Sequence, residues 1–132
     1  MDKSTILKTF NTQFFEFIGE IIQIFPENAD IATANNFCEI TKKANPTILI
    51  KVWFMYIYSI YKTKIDEGNI SFFFDKNYEE DLSQFSNAKD ILKSINCLRE
   101  PIKTMGDVNQ QHSIKYIQIL SKLSELYNKL TA

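Results

Sequence analysis

Apolar residues recur at steps of three or four along most of the chain, which is the spacing of one face of an α-helix. Ser4 is a suitable N-cap for the first helix, and Pro26 ends its pattern. A second, weaker pattern predicts a helix from Asp30, its cap, to Lys43. The apolar face of the first helix holds Leu7, Phe10, Phe14, Phe15, Ile18, Ile21, Ile22 and Phe25. That of the second holds Ile31, Ala34, Phe37, Cys38 and Ile40.

The stretch ILIKVWFMYIYSIY, residues 48–61, is apolar or aromatic at nearly every position. Asn45 can cap a helix before it, Pro46 suits the first helical position and Gly68 is a stop signal, so we expect a helix over about 46–67. Its apolar part measures about 21 Å at helical rise, which is shorter than the length of the ~20 residues needed to cross a bilayer. The sequence therefore predicts a buried central helix and no membrane span.

Three residues of this helix, Lys51, Tyr58 and Lys62, align along one narrow edge at steps of seven and four. We expect this edge to reach the surface while Trp53 lies inside the bundle. An alternative is that part of Trp53 and the tyrosines faces a partner protein, because aromatic residues are favoured at interfaces. Lys51, Tyr58 and Lys62 are accordingly candidate partner-binding residues.

The segment GNISFFFDKNYEEDLSQFS, residues 68–86, contains three consecutive phenylalanines. Residues 70–74 fit a short strand or a helical turn, and we favour the short helix. Neighbouring side chains point in different directions in either conformation, so Phe72, Phe73 and Phe74 cannot all face one core. At least one of them faces a second core layer or a partner, which makes the three phenylalanines candidate contact residues.

The second half of the chain repeats the helical pattern. Ser86 or Asn87 can cap a helix with Ala88, Ile91, Leu92, Ile95 and Leu98 on its apolar side. Pro101 should kink or end this helix, and Gly106 should stop the short stretch after it. Asp107 and Gln110 form a possible capping box for a last helix. Its heptad seam holds His112, Tyr116, Ile119, Leu123, Leu126 and Leu130.

The seam of the last helix has two interpretations. With fewer than three heptads it fits packing within the bundle, and the alternative is a homo-oligomer through a coiled coil. Altogether the sequence predicts an all-α fold, a bundle of about five to six helices in one domain over residues 1–132, which is an ordinary length for one domain.

Composition excludes some classes of protein. The net charge is −1 and Arg99 is the one arginine, so the chain has no overall field that attracts nucleic acid, and nucleic-acid binding is not expected. Cys38 and Cys97 show no metal or redox spacing and indicate reduced thiols, with a single bridge between them as the alternative. The N-terminus lacks the pattern of a secretory signal.

Candidate chemistry is sparse. His112 is the only histidine, and its place on the apolar seam favours a core or boundary position over a catalytic or zinc site. Glu16 and Glu20 lie one turn apart but lack the Glu-x-x-His partners of a di-iron bundle, so we expect a solvated face. The glycines are isolated and form no phosphate-binding loop. The sequence therefore predicts no catalytic, cofactor or metal residue.

Four strings in this order, FNTQFFEFIGEIIQIFPENADIATA, TKKANPTILIKVW, EGNISFFFDKNY and KYIQILSKLSELY, give the chain a family resemblance. From Phe10 to Tyr127 it resembles small helical proteins of the nucleocytoplasmic large DNA viruses of algae and protists. The abundance of Ile, Asn, Lys, Phe and Tyr, which have AT-rich codons, agrees with such a source. The family pattern has no catalytic motif.

This resemblance implies a non-enzymatic viral protein in the particle or in the viral factory of the infected cytoplasm. We expect a virion structural or assembly protein, such as a minor capsid component, whose partners are other viral capsid proteins. The alternative is an intracellular regulator that binds replication or transcription machinery or nucleic acid, and an enzyme ranks third.

Overall fold

Helices form the regular structure of the described part of the chain. The computed structural model describes residues 2–69, Ser71 and 89–131. Its helices are α1 (Lys3–Ile24), α2 (Ala29–Ala44), α3 (Ile48–Trp53), a π-helical turn (Phe54–Tyr58), α4 (Ser59–Asp66), α5 (Lys89–Asn96), α6 (Arg99–Thr104) and α7 (Asp107–Thr131). No strand occurs within these described residues, so the all-α prediction is confirmed.

The first two helices begin at other caps than the sequence predicted. The Asp2 side chain, rather than that of Ser4, accepts the N–H of Thr5 at 2.8 Å. Asn28, rather than Asp30, caps α2 and accepts the N–H groups of Asp30 and Ile31. In both cases the cap is the residue two or three positions before the amide that needs an acceptor.

The predicted central helix is present as α3, the π-helical turn and α4, which follow one another directly, with a kink in α4 at Tyr61, whose φ of −112° and ψ of 21° are not helical. Asn45 accepts the N–H of Thr47 at 3.2 Å, so it orders the entry to this helix. The N–H of Ser59 bonds the carbonyl of Phe54 five residues earlier, which is the wider turn of a π-helix. Gly68 has φ of 73°, a backbone conformation that glycine adopts without strain, and it ends the helix as predicted.

The core of the bundle is centred on Trp53. The indole is 1% exposed and meets the rings of Phe10 and Phe14 edge to face, at centroid distances of 6.3 and 6.4 Å. Its Nε1–H donates to the Ser121 hydroxyl at 3.0 Å within the core. Trp53 thereby joins the central helix to α1 and α7, and its predicted burial is confirmed.

A second polar contact also joins α1 to the central helix. Asn11 is buried on α1, and its side-chain amide donates to the carbonyl of Pro46 at 3.1 Å. This bond fixes the start of the central helix against the middle of α1.

In the part of the chain that the structure describes, no helix has the length and apolar content that crossing a membrane requires.

The last helix is rotated relative to its predicted seam. His112, which was expected in the core or at its boundary, is exposed, as are Ile119, Leu126 and Leu130. Two members of that seam point inward: Leu123 is buried, and the Tyr116 ring stacks on Phe17 at 5.3 Å. The buried side of α7 instead contains Ser113, Ile114, Ile117, Leu120, Ser121, Leu123, Ser124 and Tyr127.

Small serines explain this rotation. A serine has little volume, so its side of a helix can approach a neighbouring helix closely. Its hydroxyl can also be satisfied locally, as that of Ser124 is by donating to the Ser121 carbonyl at 2.7 Å. The side of α7 that carries serines therefore packs inward, although a hydrophobicity pattern counts serine as polar.

Three further predictions about the helices were wrong in detail. Ile40 is 68% exposed, because the inward side of α2 ends at Cys38. The Gln110 amide does not complete a capping box but donates to the carbonyls of Ile102 and Lys103 at the end of α6. The helical break comes before Pro101, which is the third residue of α6, where a missing N–H costs little.

Some predictions lie outside the described residues. These are the conformation of 70–74, the directions of Phe72, Phe73 and Phe74, and the caps Ser86 and Asn87. Of the apolar side predicted for the next helix, Ile91, Leu92, Ile95 and Leu98 are buried as expected.

We predict that Trp53→Ala lowers the free energy of unfolding by about 3–5 kcal/mol, because it leaves a large cavity where three helices meet. Ser121→Ala should cost about 1–3 kcal/mol, because the buried indole N–H loses its acceptor. Both values can be measured by denaturant unfolding. Met55→Ala is the control, since Met55 is 55% exposed on the same helix and its loss should change little. Equal costs for Trp53→Ala and Met55→Ala would contradict this core.

The two cysteines are free thiols in different surroundings. Cys38 is fully buried on α2, whereas Cys97 is half-buried between α5 and α6. Burial raises the pKa of the Cys38 thiol to about 11, although a hydrogen bond with Ser94 opposes the shift. Burial also raises the pKa of Cys97. The thiolate is the nucleophilic form, so both groups are unreactive near neutral pH, and Cys38 is in addition inaccessible.

We therefore predict that iodoacetamide at pH 8 alkylates Cys97 slowly and leaves Cys38 unmodified in the folded protein. Peptide mapping by mass spectrometry distinguishes the two sites. The same reaction in denaturant is the control and should modify both thiols at similar rates. Faster labelling of Cys38 than of Cys97 in the folded protein would show that the interface of α2 with α5 opens.

Candidate interaction surface

The outer face of α7 carries one continuous row of exposed side chains. Successive members are four or three residues apart, so they lie on one stripe of the helix. This basic row consists of Val108, His112, Lys115, Ile119, Lys122, Leu126 and Lys129. It contains no carboxylate.

Apolar side chains are unusually concentrated along α7. Four of the eight large hydrophobic residues that are exposed in the described part of the chain belong to this helix. They are Val108 at 72%, Ile119 at 45%, Leu126 at 39% and Leu130 at 54% exposed. Three of the four, Val108, Ile119 and Leu126, belong to the basic row. Single exposed apolar residues are ordinary, but several on one helix face are typical of a contact surface.

Lysines alternate with these apolar residues at regular intervals. Lys115, Lys122 and Lys129 are seven residues apart, which places them about 10.5 Å from each other along the helix. Ile119 and Leu126 lie between them with the same spacing. The row therefore presents positive charge and apolar surface in alternation every half heptad.

A polar network borders the basic row on the side of the central helix. The Lys62 ammonium donates to the Tyr58 hydroxyl at 2.8 Å and to Asp66 at 3.0 Å, and it lies 4.9 Å from the Tyr58 ring centroid. The Tyr58 hydroxyl donates to Asp66 at 3.0 Å. Across the helix interface, Glu125 of α7 is 3.5 Å from Lys62 and 3.3 Å from Lys129. The network thus connects α4 to α7 beside the row.

The charges of this network reinforce one another. Hydrogen bonds from the Lys62 ammonium hold the pKa of Asp66 below its usual value. Bonds to Tyr58 and Asp66 raise the pKa of Lys62. Burial raises the pKa of Glu125, but bonds from Tyr58 and Lys129 outweigh it, and the net shift is downward. All three side chains are therefore charged at neutral pH.

Positive charge exceeds negative charge where the row and the network meet. Lys62, Lys122 and Lys129 form ion pairs with Asp66 or Glu125, and Lys115 lines the same groove as Asp66. Four lysines thus lie beside these two carboxylates. The ammonium groups stay accessible, since the side chains of Lys122 and Lys129 are 70% and 68% exposed. A groove of about 520 Å³ between the helices is lined by Tyr58, Asp66, Lys115, Gln118, Ile119 and Lys122.

The predicted contact residues of the central helix do not form one exposed edge, and of the three Tyr58 lines this groove. Lys51 and Lys62 are exposed, whereas Tyr58 is 2% exposed and supports the network with its hydroxyl. Tyr58 is thus corrected from a surface contact to a packing residue. The reason is the π-helical turn, whose extra residue changes the register between Lys51 and Tyr58.

The other side of the row borders α1. The Tyr116 hydroxyl donates to Glu20 at 3.2 Å, so this carboxylate contributes a helix contact. Glu20 is exposed and Glu16 lies one turn before it on the same helix, as expected of a solvated face. Among the described residues, no group of three or more His, Cys, Asp or Glu side chains is arranged to hold a metal ion.

Sequence reasoning missed the basic row because it assigned His112, Ile119 and Leu126 to the buried seam. The signal was the regular recurrence of Lys115, Lys122 and Lys129. Lysines at every seventh position keep one stripe of a helix in water. Ile119 and Leu126, which lie on the same stripe, are therefore exposed too.

Comparisons of this chain with models of protein families, with curated proteins and with solved structures found no match. The viral resemblance therefore stays a prediction.

We predict that Asp66→Asn lowers the melting temperature by no more than about 4 °C at pH 7, because the network is exposed. Because the pKa of Asp66 is lowered in the folded protein, its ionised carboxylate stabilises the fold at pH values above the ordinary carboxylate pKa. This stabilisation is lost as the pH falls through the lowered pKa. The difference from wild type should therefore shrink in calorimetric scans as the pH is lowered from 7 to below the ordinary carboxylate range. Glu67→Gln, an exposed neighbour, is the control. An undiminished difference near pH 2 would rule out this linkage.

Proposed function

We propose that this protein acts by protein contact, and that the basic row of α7 is its docking surface. The observation that supports the proposal is the concentration of exposed apolar side chains on one helix whose opposite side is buried in the core. Exposed apolar rows flanked by charge are a usual feature of protein-binding surfaces. The Trp53–Ser121 hydrogen bond and the Lys62–Glu125 ion pair join α7 to the central helix, so the fold presents the row on its surface before a partner binds.

The specific role we propose is that of a virus-encoded structural or assembly protein, for instance a minor capsid component that binds other capsid proteins. The resemblance to proteins of large DNA viruses supports the viral source, and the basic row supports a contact role without chemistry. A row of this length spans about 30 Å, which is enough for a helix of a partner to lie along it.

A regulator of viral replication or transcription is the second candidate. Its supporting observation is the line of three lysines, which would also suit an acidic surface on a protein of that machinery. The homo-oligomer through the last helix is a weaker proposal, because Leu123 of its seam is buried in the core.

We predict that Ile119→Asp combined with Leu126→Asp lowers incorporation of the protein into purified particles at least tenfold, because it removes the apolar centre of the contact. Quantitative mass spectrometry of the particles provides the measurement, and wild-type protein should be present in stoichiometric amount. Ile40→Asp combined with Ile60→Asp is the matched control, since both residues are exposed isoleucines outside the row.

Circular dichroism should show that both double variants fold. If wild-type protein is absent from particles but is recovered with replication or transcription proteins, the result contradicts the structural role and supports the regulatory one. Equal behaviour of the two double variants would exclude the basic row as the docking surface.

A further inference from the structure

The alternation of lysine and apolar side chains on α7 carries information about what binds there. We infer that the partner segment on the basic row is an acidic amphipathic helix, with carboxylates and apolar residues at the same seven-residue spacing. The inference rests on the proposed contact function and adds the chemical class of the partner.

The spacing favours a helix over other partners. Lys115, Lys122 and Lys129 repeat every seven residues, and Ile119 and Leu126 repeat in phase with them. A second helix that lies along α7 brings its own residues past each of these points at the same interval. An extended strand alternates its side chains every two residues and cannot match this repeat. A helical partner therefore contacts every member of the row.

The positive charge of the basic row determines that a complementary partner segment carries negative charge. The row contains three lysines and no carboxylate, and the carboxylates Glu125 and Asp66 lie at its border. Glutamate or aspartate side chains on the partner would meet the lysines while apolar side chains cover Ile119 and Leu126. A second copy of this chain fits less well, because its row would place lysines against lysines.

Two other anionic partners fit the row less well than a helix does. Nucleic-acid surfaces favour arginine for phosphate, and Arg99 lies outside the row on α6, bonded to Asn96 at 3.2 Å. Apolar side chains between the lysines would have no partner on a phosphate backbone. A helix that binds a membrane surface requires a wide apolar face. In this row every second member from Lys115 onward is a lysine, so the apolar residues do not form such a face.

The test uses the full chain and three fluorescent probes. The first is a helical peptide of about 22 residues whose glutamates and leucines repeat every seven residues. The second peptide has the same composition with the glutamates moved to the other helix faces. The third probe is a single-stranded oligonucleotide of 20 bases, and anionic vesicles of phosphatidylserine and phosphatidylcholine are tested by co-sedimentation.

Fluorescence anisotropy should show binding of the first peptide at least tenfold tighter than that of the second, with an affinity that falls as salt is added. The triple variant Lys115→Glu, Lys122→Glu and Lys129→Glu should lose at least tenfold in affinity. A peptide with lysine in place of glutamate should restore binding to this variant. The control variant, Lys8→Glu, Lys43→Glu and Lys103→Glu, changes exposed lysines outside the row and should bind normally.

Equal binding of the two acidic peptides would overturn the inference, as would no detectable binding at 1 mM peptide. Tighter binding of the oligonucleotide or of the vesicles than of the first peptide would overturn it in favour of those partners. The proposed function is judged separately. If the acidic peptides fail while Ile119→Asp with Leu126→Asp still prevents incorporation into particles, the row is a docking surface for a partner of another chemistry.

Discussion

The fold depends on the hydrogen bond and packing of one tryptophan. Trp53 fills the space where α1, the central helix and α7 meet, and its N–H must find an acceptor because the site excludes water. Ser121 is that acceptor, and Phe10 and Phe14 close the other sides of the indole. A single side chain thus joins three helices, and a rotation of α7 that moved Ser121 away would break the hydrogen bond of this buried donor.

The same constraint creates the outer surface. Ser121 and Ile114, seven residues before it, point into the core, whereas the next position after each of them, Lys122 and Lys115, is exposed. Lys129, seven residues after Lys122, is exposed on the same stripe. Ile119 and Leu126 lie on the same stripe of α7 and are exposed together with these lysines. The candidate docking surface is therefore a direct consequence of how α7 meets the indole.

The polar network joins the candidate docking surface to the central helix without a large gain in stability. Tyr58 is buried by its ring and places its hydroxyl among Lys62 and Asp66, while Glu125 draws lysines from two helices together. Exposed ion pairs of this kind contribute little free energy. Their effect is to hold α4 against α7, which keeps the groove and the lysines in place for a partner.

The sequence by itself determined that the described chain is helical and roughly where its helices lie, because a period near 3.6 is a local signal, although the exact caps at Asp2 and Asn28 were not the predicted ones. It placed the limits of the central helix between Asn45 and Gly68 to within about one turn, and it identified Trp53 as core. Several positions of the last helix were assigned to the wrong side. Burial depends on which neighbour a helix meets. The small serines of α7 allow a close approach to Trp53, so their side of the helix is buried. Hydrophobicity alone had assigned His112, Ile119 and Leu126 to the buried side. The π-helical turn that buries Tyr58 was likewise invisible to periodicity. Only the packing of three helices around one indole decided which face of α7 is free.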